Sequence, residues 1–268
     1  TGDTPAASIG KFAKGGVLRI LTGDDPNPAN WKISKVIDGI GPVTSAVTKL
    51  QDTYNKKLWL YFGTGRYFYK SGSTIDEDFT DQNEAIYGVT EPCYSVDATD
   101  AKVNDMDPTC TSTVLASDLK DQTSSESALS TSQKGWKIHL GIATGSFKAK
   151  RIYTNPTATS SGVIFYTAFK PSAEVCSYGG DTSIWAVDYA TGGSVSGRNL
   201  RGQAMLQLAT GELKQIDLSN AFTESPAVSG GPGRETVSFT GPPSKDETQF
   251  TSNANHVPVK KILHIMER

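Results

Sequence analysis

The sequence predicts an all-β protein: a modified β-propeller, incomplete within this chain, carrying a polar insertion. Three observations lead there. Short apolar runs alternate with turn signals along most of the 268 residues, which is the pattern of a sandwich, barrel or propeller. Amphipathic helical periodicity is nearly absent. Two strand layouts recur in order, and a propeller is built from repeated small sheets that bury their faces against one another.

The elements follow from the amino end. GGVLRILT (15–22) alternates and opens with glycines. TGDDPNPAN is turn-rich, and WKISKVID (31–38) sets Trp31, Ile33 and Val36 between charges. GPVTSAVTKL (41–50) is a third strand, and KKLWLYFGTG (56–65) is apolar almost throughout, as in a strand buried on both faces. Further strands are expected at EAIYGVT (84–90), GWKIHLG (135–141), AKRIYTNP (149–156), GVIFYTAF (162–169), SIWAVDYATG (183–192) and GRETVSFTG (233–241). AMLQLATGELKQIDLS (204–219) reads as a hairpin around Thr210-Gly211.

The repeats decide the architecture. GPVTSAVTKLQDTYNKKLWLYFGTG and TNPTATSSGVIFYTAFKPS share one layout: Pro, a small-residue strand, a turn, then a bulky apolar strand. GVLRILTG and SIWAVDYATG share another, an apolar-x-apolar strand ending at a Thr-Gly turn. Residues 71–133 break the pattern. They are polar, rich in Asp, Ser and Thr, and are expected to form an insertion between blade strands, with the strand 84–90 embedded in it. At roughly 40–50 residues per blade the remainder holds about four blades, so the chain is expected to be part of a ring.

Net charge is −2, which leaves no electrostatic footprint for nucleic acid or an anionic membrane. No apolar stretch is long enough to span a bilayer as a helix. TGDTPAASIG lacks an initiator Met and the basic and apolar regions of a signal peptide, so a mature form or a piece of something longer is expected. Of the three cysteines, Cys93 and Cys110 bracket a polar loop and are the expected disulfide. Closing such a loop is worth about 3 kcal/mol in the chain-entropy account, and exported proteins carry such bridges. Cys176 is either the odd thiol or the true partner of one of the other two. No Cys-x-x-Cys spacing suggests metal.

Candidate chemistry is thin. LWLYFGTGRYF (58–68) ends a strand in Gly-Thr-Gly. A phosphate loop needs G-x-x-x-x-G-K-[ST], and a dinucleotide loop needs G-x-G-x-x-G opening a helix. Gly63 and Gly65 are too close for the first, and Tyr67 and Phe68 follow where the second needs a helix. The glycines are therefore read as packing devices near the propeller axis, with Arg66 capping a neighbour. Asp76, Asp78 and Asp81 in STIDEDFTDQNE are the candidate Ca²⁺ ligands, set against a solvated acidic loop, since the Gly and the twelfth-position carboxylate of a calcium loop are missing. No catalytic residues and no organic cofactor are expected: neither G-x-S-x-G nor H-E-x-x-H occurs. His139 is expected to point away from Ile138 and Leu140. Trp31, Trp59, Trp136 and Trp185 are expected to be wedges between blades.

WLYFGTGRYF, EAIYGVTEPC, GWKIHLG and AKRIYTNPTATSSGVIFYTAFKPSAEVCSYGGDTSIWAVDYATGG, in that order, together resemble the C-terminal β-propeller domain of PilY1-type pilus proteins over about residues 15–240. FKPS…CSYGG…WAVDY carries the most specific part. The resemblance implies a non-enzymatic propeller, exported through the periplasm and exposed at the surface of a Gram-negative bacterium. It implies association with the type IV pilus tip as an adhesin or assembly component. Expected partners are minor pilins, or an N-terminal segment of the same precursor that completes the propeller. The D-x-D-x-D loop by which some members bind Ca²⁺ has no match here, nor has an Arg-Gly-Asp triplet. The tail NHVPVKKILHIMER resembles the basic-apolar ending of such proteins, and Val257, Val259, Ile262 and Ile265 would suit an added strand that closes the ring. The alternative is a quinoprotein-type dehydrogenase propeller holding pyrroloquinoline quinone and Ca²⁺, which SIWAVDYATG resembles but for which no ligand set is recognisable. A lectin-like propeller would place aromatics on loops, whereas the tryptophans here fall in strands.

Overall fold

A computed structural model of the chain describes residues 4–5, 12–66, 70–71, 74–75, 84–95, 105–124, 126–143, 145, 147–172, 180–195, 203–207, 213–217 and 239–240. The described strands begin with β1 (Thr4–Pro5), β2 (Phe12–Leu21), β3 (Lys32–Ile40), β4 (Thr48–Asp52), β5 (Lys57–Gly63), β6 (Lys70–Ser71) and β7 (Thr74–Ile75). They continue with β8 (Ala85–Thr90), β9 (Tyr94–Ser95), β10 (Asp105–Met106), β11 (Lys120–Asp121), β12 (Gly135–His139) and β13 (Thr157–Ala158). The last are β14 (Val163–Pro171), β15 (Gly180–Asp188), β16 (Gln203–Gln207), β17 (Leu213–Asp217) and β18 (Phe239–Thr240). Helix among the described residues is limited to short 3-10 turns such as Pro28–Asn30 and Ala116–Asp118. The chain is all-β, in several separate sheets that do not close into a barrel, and forms an incomplete propeller-like stack.

Three sheets carry the fold. β2 and β3 form an antiparallel ribbon, with β1 on the far side of β2. β4, β5, β8 and β12 lie side by side and antiparallel, and short β11 adds in parallel at the β12 edge. β13, β14, β15 and β18 make the third sheet. The two hairpins that share a sequence layout, β4–β5 and β13–β14, thus open successive sheets, as the repeat predicts. β16 and β17, on either side of Thr210-Gly211 in the sequence, pair antiparallel.

Alternation along β5 explains the stacking. Leu60 and Phe62 point to one face and Trp59 and Tyr61 to the other, because successive side chains in a strand alternate. On the first face they join Val17, Val36, Ile37 and Ile40 of the ribbon, and Ala85, Tyr87 and Val89 of β8. On the second they join Ile86, Trp136 and Ile138, and then Ile164, Tyr166, Trp185 and Val187 of the third sheet. The middle sheet is therefore buried on both faces, which is why 58–62 reads as an unbroken apolar run.

Some of the described residues of the stretch 71–133 take part in the sheets and the core. Its residues 85–90 form a central strand of the middle sheet, and Val114 and Leu119 are buried in the first core. The strand expected at 84–90 is thus present, and it is shared with the middle sheet. Deleting 71–133 is expected to abolish the cooperative melting transition, followed by circular dichroism. A retained cooperative melt would show these residues to be dispensable.

Other expectations shift in detail. Of the expected strand 41–50 only 48–50 pairs in a sheet, as the start of β4, while Val43 bridges Gly65 in parallel. The expected strand 149–156 is a crossing segment that makes the bridge Arg151 to Phe169 before β13. The expected strand 233–241 is described only at Phe239–Thr240.

A disulfide-rooted hairpin and an open sheet face

Gly-Thr-Gly at 63–65 is a crossing point of three segments. Thr64 N–H donates to Ala85 O, Gly65 N–H to Pro42 O, and Ile152 N–H to Thr64 O, at 2.8–2.9 Å. A Cβ on Gly63 would come within 2.5 Å of Ile152, and one on Gly65, at φ +129°, within 2.5 Å of the Arg151 Cβ. Three segments meet where only hydrogen fits, so the glycines serve close approach. Arg151, wholly buried, donates from Nη1 to the Arg66 carbonyl oxygen and from Nε to that of Ala149.

The tryptophans divide. Trp59, Trp136 and Trp185 lie in the core between the second and third sheets, as wedges. Trp31 does not. It precedes β3, is 37% exposed, and donates its indole N–H to Asp25 O at 2.7 Å. The Asp25 carboxylate accepts from Asn27 N–H and the Asn30 amide, which shapes the turn 25–30 and holds the carboxyl below the usual range. His139 points away from buried Ile138 and Leu140, towards Asp121, with Nε2 3.6 Å from its carboxylate.

Cys93 and Cys110 are disulfide-bonded, with Cα atoms 5.5 Å apart. Inside the bridge, β9 and β10 pair antiparallel, so the disulfide sits at the base of a two-stranded hairpin. Asp107 N–H donates to Cys93 O, and Cys110 N–H to Asp107 O. The backbone N–H and hydroxyl of Thr109 hold the Asp107 carboxyl below its ordinary range. Asp76, Asp78, Asp81 and Cys176 lie outside the described residues. Among the described residues, no three His, Cys, Asp or Glu side chains gather as a metal site requires.

The hairpin is rooted by a buried ion pair that sequence reading missed. Arg19 of β2 pairs through Nη2 with Glu91 Oε1, and both side chains are under 5% exposed. Arg19 also donates to Ser34 Oγ and Ser112 O, while Glu91 Oε1 accepts the Cys93 N–H at 2.9 Å. One carboxylate thus links the ribbon to the disulfide. Reducing or removing this bridge, as in Cys93→Ser/Cys110→Ser, is expected to cost about 3 kcal/mol because it frees a 17-residue separation in the unfolded chain. Urea denaturation with and without reductant checks this; coincident midpoints would refute it.

The opposite face of the ribbon is open among the described residues. Leu18, Ile20 and Ile33 are 46%, 54% and 66% exposed. Ile20 pairs directly with Ile33, and Leu18 with Lys35, so the three aliphatic side chains share one face. An alternating pattern offers no sign of this, because Arg19 is the polar residue of the strand and would be assigned to solvent.

No protein-family model matches the chain, and no curated protein matches its sequence. Among solved structures, the crystal structure of the Pseudomonas aeruginosa PilY1 C-terminal domain is similar to this chain, at 14% sequence identity and a TM-score of 0.47. The similarity covers 84% of this chain and 54% of that one, so the chain spans about half the length of that structure.

Proposed function

We propose that this chain is a non-enzymatic, pilus-associated component of the bacterial cell surface, in which stacked sheets form a rigid platform for minor pilins or surface recognition. The observation that supports the reading most is the disulfide-closed hairpin rooted in the core through Glu91. A rigid scaffold that holds out a braced hairpin suits recognition, since loops on such scaffolds commonly carry binding. A disulfide also suits an oxidising compartment, as export through the periplasm would provide. The resemblance of the sequence blocks supports the pilus assignment, and two ends of the most specific string, FKPS and WAVDY, run through the paired strands β14 and β15.

Capture of purified minor pilins by the immobilised chain tests the reading. Wild-type protein is expected to retain a pilin through high-salt washes. A variant with residues 96–104 replaced by Gly and Ser is expected to lose it while melting at the wild-type temperature. Capture of no minor pilin by wild-type protein would overturn the pilus assignment. Equal capture by both proteins would remove the hairpin from the contact.

A further inference from the structure

We propose that the open face of the β2–β3 ribbon is a self-association surface, on which a second copy of this chain stacks across a twofold axis with its ribbon turned end for end. Leu18, Ile20 and Ile33 share that face. Trp31 stands two residues before Ile33 in extended backbone, so alternation puts its exposed ring on the same side. The ribbon's other face is already core, through Val17, Val36, Ile37 and Ile40. A ribbon that is apolar on both faces has the composition of a layer with neighbours on each side.

The size of the patch sets how firmly it can hold a neighbour. The four side chains are 37–66% exposed. Together they present on the order of 400 Å² of apolar surface, in the range where a patch marks an interaction site. Two such patches with their polar rims bury roughly 1,000 Å², the low end of specific protein–protein contacts. The area therefore suits a weak, concentration-dependent dimer.

Charge selects a second copy and fixes its direction. Lys35 lies at one end of the face, directly opposite Leu18. The turn after β2 lies at the other end, where Asp24 is exposed and Asp25 holds the Trp31 indole. Stacking with like ends together would set these acidic turns against each other. Turning the second ribbon end for end sets each Lys35 against the acidic turn of the other copy, and the Ile20–Ile33 pair against its own counterpart. One patch thereby complements itself, as a twofold contact requires. Lys35 pairs with Asp38 at 2.5 Å, with both side chains about half exposed. Such exposed pairs are weak, so the ammonium can be shared with a carboxylate across the interface.

Sedimentation equilibrium of the full chain tests this. Cys176→Ser is included throughout, so that no disulfide between copies contributes beside the Cys93–Cys110 bridge. The mass is expected to rise from monomer to dimer with a dissociation constant of about 10–100 µM, as fits a contact of this size. Ile33→Glu is expected to weaken association roughly tenfold or more, with the wild-type melting temperature at low concentration. Lys35→Glu and Asp24→Lys are each expected to weaken it about threefold, and the two together to return it to within about twofold of the starting value. A chain that stays monomeric at about 500 µM, well above that range, would overturn the proposal, whether the face is bare or covered from elsewhere. A dimer that Ile33→Glu leaves intact would also overturn it, because the contact would then lie on another surface. A double charge exchange that restores nothing would overturn the end-for-end arrangement.

Discussion

Trp136→Ala is expected to destabilise the protein by about 3–5 kcal/mol, the range for truncating a large buried aromatic side chain. The ring is wholly buried between the second and third sheets. Gly88 of the neighbouring strand lies against one part of it, and a Cβ on Gly192, in the turn after β15, would come within 2.6 Å of another. Its indole N–H donates to Tyr189 O at 3.1 Å, and the Tyr61 hydroxyl donates to the same oxygen at 3.0 Å. Trp136 is thus the piece that holds the turn 188–193 of the third sheet onto the middle one. For a domain of this size, 1 kcal/mol corresponds to roughly 2–4 °C in melting temperature, so a fall of about 10 °C is expected by calorimetry. Trp136→Phe keeps most of the volume and loses the hydrogen bond, and is expected to fall between the two. A Trp136→Ala protein melting within a degree or two of wild type would mean that these sheets do not share this core.

Glu91→Leu is expected to cost about 3–5 kcal/mol, because it strands a guanidinium in a buried site. Among the described residues, Arg19 then keeps Ser34 Oγ and the Ser112 carbonyl as partners. Cys93 N–H loses its acceptor at the same time. Arg19→Met/Glu91→Leu removes the charge with its partner and is expected to recover part of the loss, since replacing a buried pair by apolar groups is often near neutral. Recovery stays incomplete because the Cys93 N–H remains unsatisfied and is costly to bury. A double-mutant cycle in urea gives the coupling. A coupling near zero would show that the pair does not anchor the hairpin.

Much of the fold was legible in particular residues. LWLYF announced a strand with two buried faces, and its alternating contacts in two cores show why it needed no polar residues. The shared layout of the segments ending at Gly65 and Ser172 matched two hairpins in successive sheets. The Cys93–Cys110 spacing pointed to a bridge that is present. The candidate surface was less legible. Nothing in LRI at 18–20 distinguishes a buried arginine flanked by exposed aliphatics from the reverse, because alternation gives the period of a strand and leaves open which face meets the core.

The sequence by itself determined the β class and most of the strand positions, and it pointed to the disulfide, because alternation, turn chemistry and loop closure act over short stretches of chain. Only the tertiary structure decided that Glu91 meets Arg19 across 72 positions, that 85–90 is a central strand, and that Leu18, Ile20 and Ile33 face outward. Those outcomes depend on which sheet stacks on which. Stacking is set by the summed burial of many side chains far apart in sequence, so no local window contains it.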